Sequence, residues 1–202
     1  MDTRTFESNL TTWLRHNSGL EQSRNYLGIS KAGKCQRQIY DELVSGVVMS
    51  DFHHAMCYIG YLFERDALAR LVEMRLAKGA AIELVCPKDA RIRGHVDGVT
   101  LEGDLLEIKS VTTKKFERVC HGGKPLWEHV DQVQLYMRYG GWRTAWILYI
   151  CRETFEHKVM RVGYDQERAA RLEGKLLDVL AAVERQEPPV CECGWCGKDV
   201  RR

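Results

Sequence analysis

The chain has 202 residues, with 30 Lys and Arg against 28 Asp and Glu, a net charge of +2 at pH 7 and a 45% hydrophobic fraction. That length predicts one domain able to bury its own core, and the composition excludes a disordered or collagen-like chain. No apolar run is long enough to span a membrane, and Met1–Glu7 lacks the apolar stretch of a secretory signal, so a cytoplasmic chain with no membrane partner is expected. The near-neutral balance means that any nucleic-acid partner requires a local basic groove. Of eight cysteines, five stand singly and three crowd into Cys191–Cys196. In a chain neither small nor visibly secreted, that distribution favours reduced thiols and metal ligation over a disulfide framework.

Residues 5–16 have the spacing of a short amphipathic helix, through Phe6, Leu10, Trp13 and Leu14. A loop, Ser30-Lys31-Ala32-Gly33-Lys34, leads into a helix from Cys35 to Val44 with Ile39, Leu43 and Val44 on its apolar stripe. Residues 52–78 read as one long helix, with Met56, Ile59, Phe63, Ala67 and Leu71 at three- and four-residue steps. The period then changes to two. Ala81–Val85 reads as a short strand, and Arg91–Val99 and Asp104–Thr112 form a hairpin around Leu101-Glu102-Gly103-Asp104. Residues 126–139 return to helical spacing, Thr144–Cys151 and Phe155–Val162 read as strands, and Asp165–Arg185 as a last helix stopped by Pro188-Pro189. One mixed α/β domain over 1–202 is expected, with N-terminal helices (1–78), a central sheet and a cysteine-rich tail (186–202).

Chemistry concentrates in the hairpin. Side chains two apart on a strand share a face, so Glu107 and Lys109 point one way, and a hairpin can set Asp97 beside Glu107. Two converging carboxylates repel unless a cation lies between them, and a hard divalent ion takes carboxylate oxygens, waters and phosphate oxygens. A lysine two residues on can orient water or offset charge on a phosphate. A lone Glu-x-Lys is ordinarily surface charge; here Asp97 sits in a strand segment bounded by Gly94 and Gly98, and Glu107 is flanked by apolar residues. On the helix over 126–139, His129, Gln132 and Tyr136 fall in one sector beside the apolar Val130, Val133 and Met137. Upstream, Gly60 permits close approach one turn before Glu64, a further carboxylate.

Gly60-x-x-x-Glu64, Gly94-His95-Val96-Asp97-Gly98, Glu107-Ile108-Lys109 and Gln132-x-x-x-Tyr136 together resemble, in order, the motifs of the PD-(D/E)XK nuclease superfamily in its RecB-like exonuclease branch. The resemblance covers Gly60 to Tyr136. It implies a restriction-endonuclease-like core, a central mixed sheet flanked by helices, and Mg²⁺- or Mn²⁺-dependent exonucleolytic hydrolysis of DNA in recombination, repair or processing. It further implies Asp97 and Glu107 as metal ligands with the Ile108 carbonyl, and Lys109 serving the nucleophilic water. Glu64 would assist at the metal, and Gln132 and Tyr136 would hold substrate or order the site. The proline of the family name is absent, since Val96 precedes Asp97. The alternative is a non-catalytic DNA-binding or recombination adaptor that keeps the fold; the intact Asp97, Glu107 and Lys109 count against it.

One branch of these nucleases, with CRISPR-associated and helicase-linked members, carries an iron–sulfur cluster on one upstream and three C-terminal cysteines. Ser30–Arg37 resembles its upstream segment and Pro189–Cys196 its closing one, although the spacing Cys-x-Cys-x-x-Cys is tighter than the usual triplet. The resemblance implies Cys35, Cys191, Cys193 and Cys196 as ligands, and four thiolates suit a 4Fe–4S cluster or equally a tetrahedral Zn²⁺. Cys57, Cys86, Cys120 and Cys151 are expected to be small core or surface thiols, and His53, His54 and His121 ordinary histidines.

Overall fold

The computed structural model describes residues 2–17, 26–46, 50–191 and 193–194. In chain order these form α1 (Thr3–Asn17), β1 (Leu27–Gly28), a 3₁₀ turn (Ile29–Lys31), α2 (Gln36–Ser45), α3 (Asp51–Glu73), β2 (Ala77–Val85) and β3 (Ile92–Thr100). There follow β4 (Leu105–Val111), α4 (Thr113–Gly122), α5 (Trp127–Gly140), β5 (Thr144–Cys151), β6 (His157–Gly163) and α6 (Gln166–Arg185).

The strands form one mixed sheet. β4 and β5 run parallel, and the α4–α5 crossover joins them; β5 and β6, β3 and β4, and β2 and β3 run antiparallel. β3 is the organising strand. One of its edges carries β2 along its whole length. The opposite edge is shared: β1 pairs in parallel with Ile92 and Arg93, and β4 pairs with Gly98 and Val99. Residues 94–97 therefore face a gap in the ladder, with β1 above it and β4 below.

The irregularity extends to β2. Gly79 pairs with Gly98 and Ile82 with Val96, so two residues of β2 stand opposite Asp97 alone. Such a bulge sharpens the local twist. Its effect shows in two glycines of β3. A Cβ at Gly98 would meet Leu68 of α3 at 3.0 Å, whereas a Cβ at Gly94 would meet Tyr136 of α5 at 2.6 Å. Even-numbered residues of a flat strand share a face; this strand turns over between them, at Asp97.

The larger core lies between the sheet and α2, α4, α5 and α6, and includes Ile39, Phe116, Val133, Met137, Leu172 and Leu176. On the other face, Ala67, Leu68 and Leu71 of α3 pack on Ala77, Leu106, Ile108 and Leu148. α1 lies outside α3, with Trp13 edge-on to Tyr58 at 5.3 Å between ring centroids. α6 starts at the cap Asp165, whose carboxylate accepts from Arg168 N at 2.9 Å, and ends where Gln186 turns left-handed at φ 59. It is clamped to α5 by Glu173, which takes both Arg138 Nε and Nη2 at 3.1 Å and Lys88 Nζ at 2.6 Å.

Several element bounds differ from expectation. The long helix ends at Glu73 rather than 78, because Arg75 takes φ 57 and Leu76 N returns to Leu71 O at 2.8 Å. β2 accordingly begins at Ala77, four residues before the expected Ala81; its small residues carry no alternation to announce it. Within α3 the expected stripe is only half right, since Ile59 is exposed and Leu68 packs on the sheet instead. α4 and β1 went unanticipated. α4 buries only Phe116 and Val119, too few to show a period, and β1 is two residues long. β6 starts at His157, since Phe155 belongs to the turn before it. Among the described residues no helix is long and apolar enough to cross a membrane.

Candidate active site

The gap in β3's edge opens as a cleft of about 170 Å³. Its walls are Tyr26 to Ser30 on one side and Glu107, Lys109, Gln132 and Tyr136 on the other, with Arg93 to Asp97 as its floor. Asp97 sits where β3 and β4 part. Its Oδ2 accepts the Ile108 amide at 2.7 Å, so the side chain replaces the ladder bond that the separating strands have lost.

Glu107 is 1% exposed, and its two oxygens are treated unequally. Oε1 receives Gln132 Nε2 at 2.7 Å and Lys109 Nζ at 2.5 Å. Oε2 is buried and has no partner among the described residues. Gln132 Nε2 also donates to Tyr136 Oη at 3.0 Å, which spends both amide protons and leaves the phenol its own proton to donate. Glu64 joins from α3 and accepts Ser110 N at 3.3 Å; a Cβ at Gly60, one turn earlier, would lie 3.3 Å from Ser110 Oγ.

The cluster is strained electrostatically. Burial pushes the Glu107 carboxyl up to about 8, with the Asp97 charge adding to the effect and Lys109 opposing it. Burial also raises Asp97 against the pull of Lys109, and raises Glu64 against Lys109 with help from Asp97. For Lys109, burial works against the ammonium, but Glu107, Asp97 and Glu64 outweigh it and hold its proton more tightly than an ordinary lysine does. Burial, then the Glu107 charge, raise the Tyr136 phenol, so it stays protonated. Three acids surround one cation, and one buried carboxylate oxygen stands unmatched. An unpartnered buried oxygen of this kind is costly unless something binds it. Carboxylate oxygens at an open cleft are the donor set of a hard divalent ion, so Asp97, Glu107 and the water-accessible space beside them fit such an ion.

Asp97, Glu107, Lys109, Gln132 and Tyr136 thus line one cleft, and Glu64 stands beside them at Ser110, whereas the Ile108 side chain packs into the core on the α3 face. Other neighbours went unread. His129 was placed correctly on the Gln132 sector, but its Nδ1 meets Tyr149 Oη at 3.0 Å, and burial beside Lys109 and Lys115 lowers it to about 3, so it is a neutral imidazole at ordinary pH. Arg93 lies two positions before His95 and four before Asp97, and that period-two spacing was its only signal. The polar edge of α5 lies beside the core as its spacing predicts, and it is buried with it: Asp131 to Met137 are all enclosed.

Cys35 caps α2, where the positive end of the helix favours negative charge. Its sulfur and those of Cys191 and Cys193 lie within 4.8 Å of one another, and Cys191 Sγ is 3.4 Å from Cys193 Sγ. Lys175 of α6 donates to Lys34 O at 3.0 Å and holds the start of α2 against α6, which brings the tail to Cys35. Cys196 lies outside the described residues. Cys86 and Cys151 are buried and Cys57 and Cys120 exposed, as simple thiols of the core and surface.

The architecture is similar to known nucleases. The alkaline exonuclease LHK-Exo of Laribacter hongkongensis aligns with a TM-score of 0.63 and 17% identity over 83% of this chain and 92% of its own. Its complex with dAMP gives a TM-score of 0.65 and 18% identity over 84% and 92%. The protein SSO0001 aligns with a TM-score of 0.61 and 16% identity over 93% of both chains. No family model matches the sequence, and no curated protein matches it significantly. At these identities the likeness is one of fold: a restriction-endonuclease-like α/β core with a central mixed sheet flanked by helices.

The site geometry makes a first test available. A methyl group at Gly94 would press on Tyr136 Cε1 at 2.6 Å and Oη at 3.0 Å. Gly94→Ala is expected to cost about 1–3 kcal/mol in denaturant unfolding. It should also displace the phenol from Gln132, so that activity falls more steeply than stability in parallel assays.

Proposed function

We propose that the chain is a Mg²⁺- or Mn²⁺-dependent DNA exonuclease, a single nuclease domain acting in recombination, repair or processing of DNA. The observation that carries this reading is Glu107 Oε2, a buried carboxylate oxygen with no partner among the described residues, in a cleft shared with Asp97, Lys109, Gln132 and Tyr136. The fold shared with an alkaline exonuclease supports it, as does that enzyme's complex with dAMP, the kind of product that exonucleolysis releases.

In this reading Asp97 and Glu107 hold the divalent ion, with the Ile108 carbonyl beside them. The ion supplies Lewis-acid stabilisation of charge on the phosphate and a more acidic water. The protein's own groups do the rest. Lys109, fixed by Glu107 Oε1 and held charged, directs its remaining protons at the incoming water and at a phosphate oxygen. Tyr136 donates its phenolic proton to the phosphate, aimed by Gln132. Gln132 also keeps Glu107 Oε1 occupied, which turns Oε2 towards the ion. Glu64 adds negative charge on the far side and anchors Ser110 next to Lys109. End-labelled DNA incubated with Mg²⁺, Mn²⁺ or EDTA tests the proposal directly: mononucleotide release is expected with either ion and none with EDTA. Binding without cleavage under every condition would instead identify an adaptor.

Metal binding should depend on pH. Glu107 must lose a proton to act as a ligand, and its carboxyl stands at about 8 in the metal-free protein. Mn²⁺ affinity by calorimetry is therefore expected to rise close to tenfold per pH unit below about 8 and then level off. Folding of the metal-free chain takes up a proton at Glu107 between its ordinary 4.5 and about 8, so this group's contribution to stability falls as pH rises through that window. An affinity flat across the same range would mean that Glu107 is no ligand.

The thiol group we assign to a structural 4Fe–4S cluster, or to Zn²⁺ in its place, held by Cys35, Cys191, Cys193 and Cys196. The convergence of the first three from opposite ends of the chain supports this. Thiolate ligation requires a reducing compartment, which agrees with a cytoplasmic protein.

A further inference from the structure

The turn between β5 and β6 carries an aromatic side chain that hydrolysis alone leaves without a use. Phe155 takes φ 61 and is 70% exposed. A left-handed backbone is costly for a bulky residue, and glycine or asparagine would hold the same turn with less strain. The conformation is nonetheless firmly held. Phe155 N donates to Cys151 O at 2.9 Å, Cys151 N to Glu156 O at 2.8 Å, and Thr154 Oγ1 to Glu156 Oε2 at 2.8 Å. The ring is propped on Phe63 of α3, with centroids 5.4 Å apart and planes inclined by 34°. Phe63 directly precedes Glu64, so the prop stands at the rim of the acid cluster.

Arg152 lies at the root of the same turn. Its amide donates to Val111 O at 3.0 Å, which seats it at the end of β4, just beyond Lys109 and Ser110. The guanidinium is underused: Nη1 reaches Met56 O at 3.4 Å, and Nε is buried without a partner among the described residues. It is near enough to Glu64 for its charge to favour that carboxylate.

We infer that this turn grips a single strand of nucleic acid, Phe155 stacking on an unpaired base and Arg152 taking a phosphate of the strand that enters the cleft. A base inside a duplex has both faces covered, whereas an unpaired one offers its face to a protruding ring. A planar cation three residues before that ring, with one long bond to Met56 O, matches the alternation of base and phosphate. The inference rests on the nuclease reading and names its substrate class: a strand whose end is unpaired.

The test is binding without chemistry. Affinities are measured by fluorescence anisotropy in EDTA, with a short labelled single-stranded oligonucleotide and with the same strand carrying abasic sites. Phe155→Ala is expected to weaken binding to the intact strand about tenfold and to leave binding to the abasic strand unchanged; Phe155→Trp restores the loss. Arg152→Gln is expected to weaken binding to both strands and to reduce the salt slope by about one. Wild-type affinity in Phe155→Ala, or an equal loss on intact and abasic strands, overturns the inference. A merely structural role for Phe155 would give that equal loss. Because no cleavage enters the measurement, the two readings fail separately. A protein that grips single strands through Phe155 but degrades no DNA keeps this inference and defeats the hydrolytic one; a protein that degrades DNA with no dependence on Phe155 for binding does the reverse.

Discussion

Asp97→Asn and Glu107→Gln are each expected to lower metal-dependent DNA cleavage on the order of 10³-fold or more, because each removes one of the two carboxylates assigned to the ion and several kcal/mol of charge stabilisation with it. The amides are the informative replacements. Asp97→Asn keeps an oxygen for the Ile108 amide, which Asp97→Ala would leave unpaired at a cost of about 1–3 kcal/mol. With the bond kept and one of three clustered acids neutralised, Asp97→Asn should melt higher than the wild type in EDTA, and Mg²⁺ should stabilise the wild type alone. Cleavage on labelled DNA and melting with and without Mg²⁺ settle both points. Full activity in either variant removes the site.

The second large effect belongs to the thiols. Cys35→Ser or Cys191→Ser is expected to strip the metal and lower the melting temperature on the order of 10 °C or more, since structural metal–thiolate sites are worth about 10 kcal/mol in apparent folding energy. Closing a loop that joins the two ends of the chain costs entropy, but that cost grows only logarithmically with length. Protein prepared without oxygen should be brown and bleach in air if the group is iron–sulfur, and colourless if it is zinc. Iron and zinc both absent from metal analysis would leave these residues as plain thiols. Residual protein that still folds should keep measurable cleavage, because Asp97 and Glu107 draw none of their contacts from the cysteines.

The acids and lysine were legible because a strand's period of two is simple and because Glu-Ile-Lys interrupts an otherwise apolar segment. Their convergence was legible only in outline. A regular hairpin predicts Asp97 and Glu107 as ladder neighbours, whereas β3 and β4 pair only at Gly98–Leu106 and Val99–Leu105 and then separate. Nothing in the local sequence signals that parting, because it depends on β1 docking on the same edge from 65 positions away in the chain, at Leu27–Ile92. The helix α5 and the sector carrying Gln132 and Tyr136 were legible, but the burial of Asp131, Gln132 and Gln134 was not, because each takes a partner from a distant element: Arg168, Glu107 or Asp165. Polar residues satisfied by tertiary partners are invisible to periodicity. The thiols were assigned through the resemblance rather than from their spacing, which is tighter than the usual triplet; among the described residues the sulfurs of Cys35, Cys191 and Cys193 meet.

The seam along β3 also divides labour between parts of the chain. One lip, Tyr26 to Ser30, pairs with the sheet at Leu27 and Gly28 and contributes no carboxylate or cation; the other lip and the floor carry those groups. The calibre of the mouth is thus written in a short segment anchored in the core by Leu27 and Ile29, whose outward side chains Tyr26 and Ser30 can change while the charged cluster stays put. Exchanging only Tyr26 and Ser30 would alter the aperture and leave Asp97, Glu107 and Lys109 where they are.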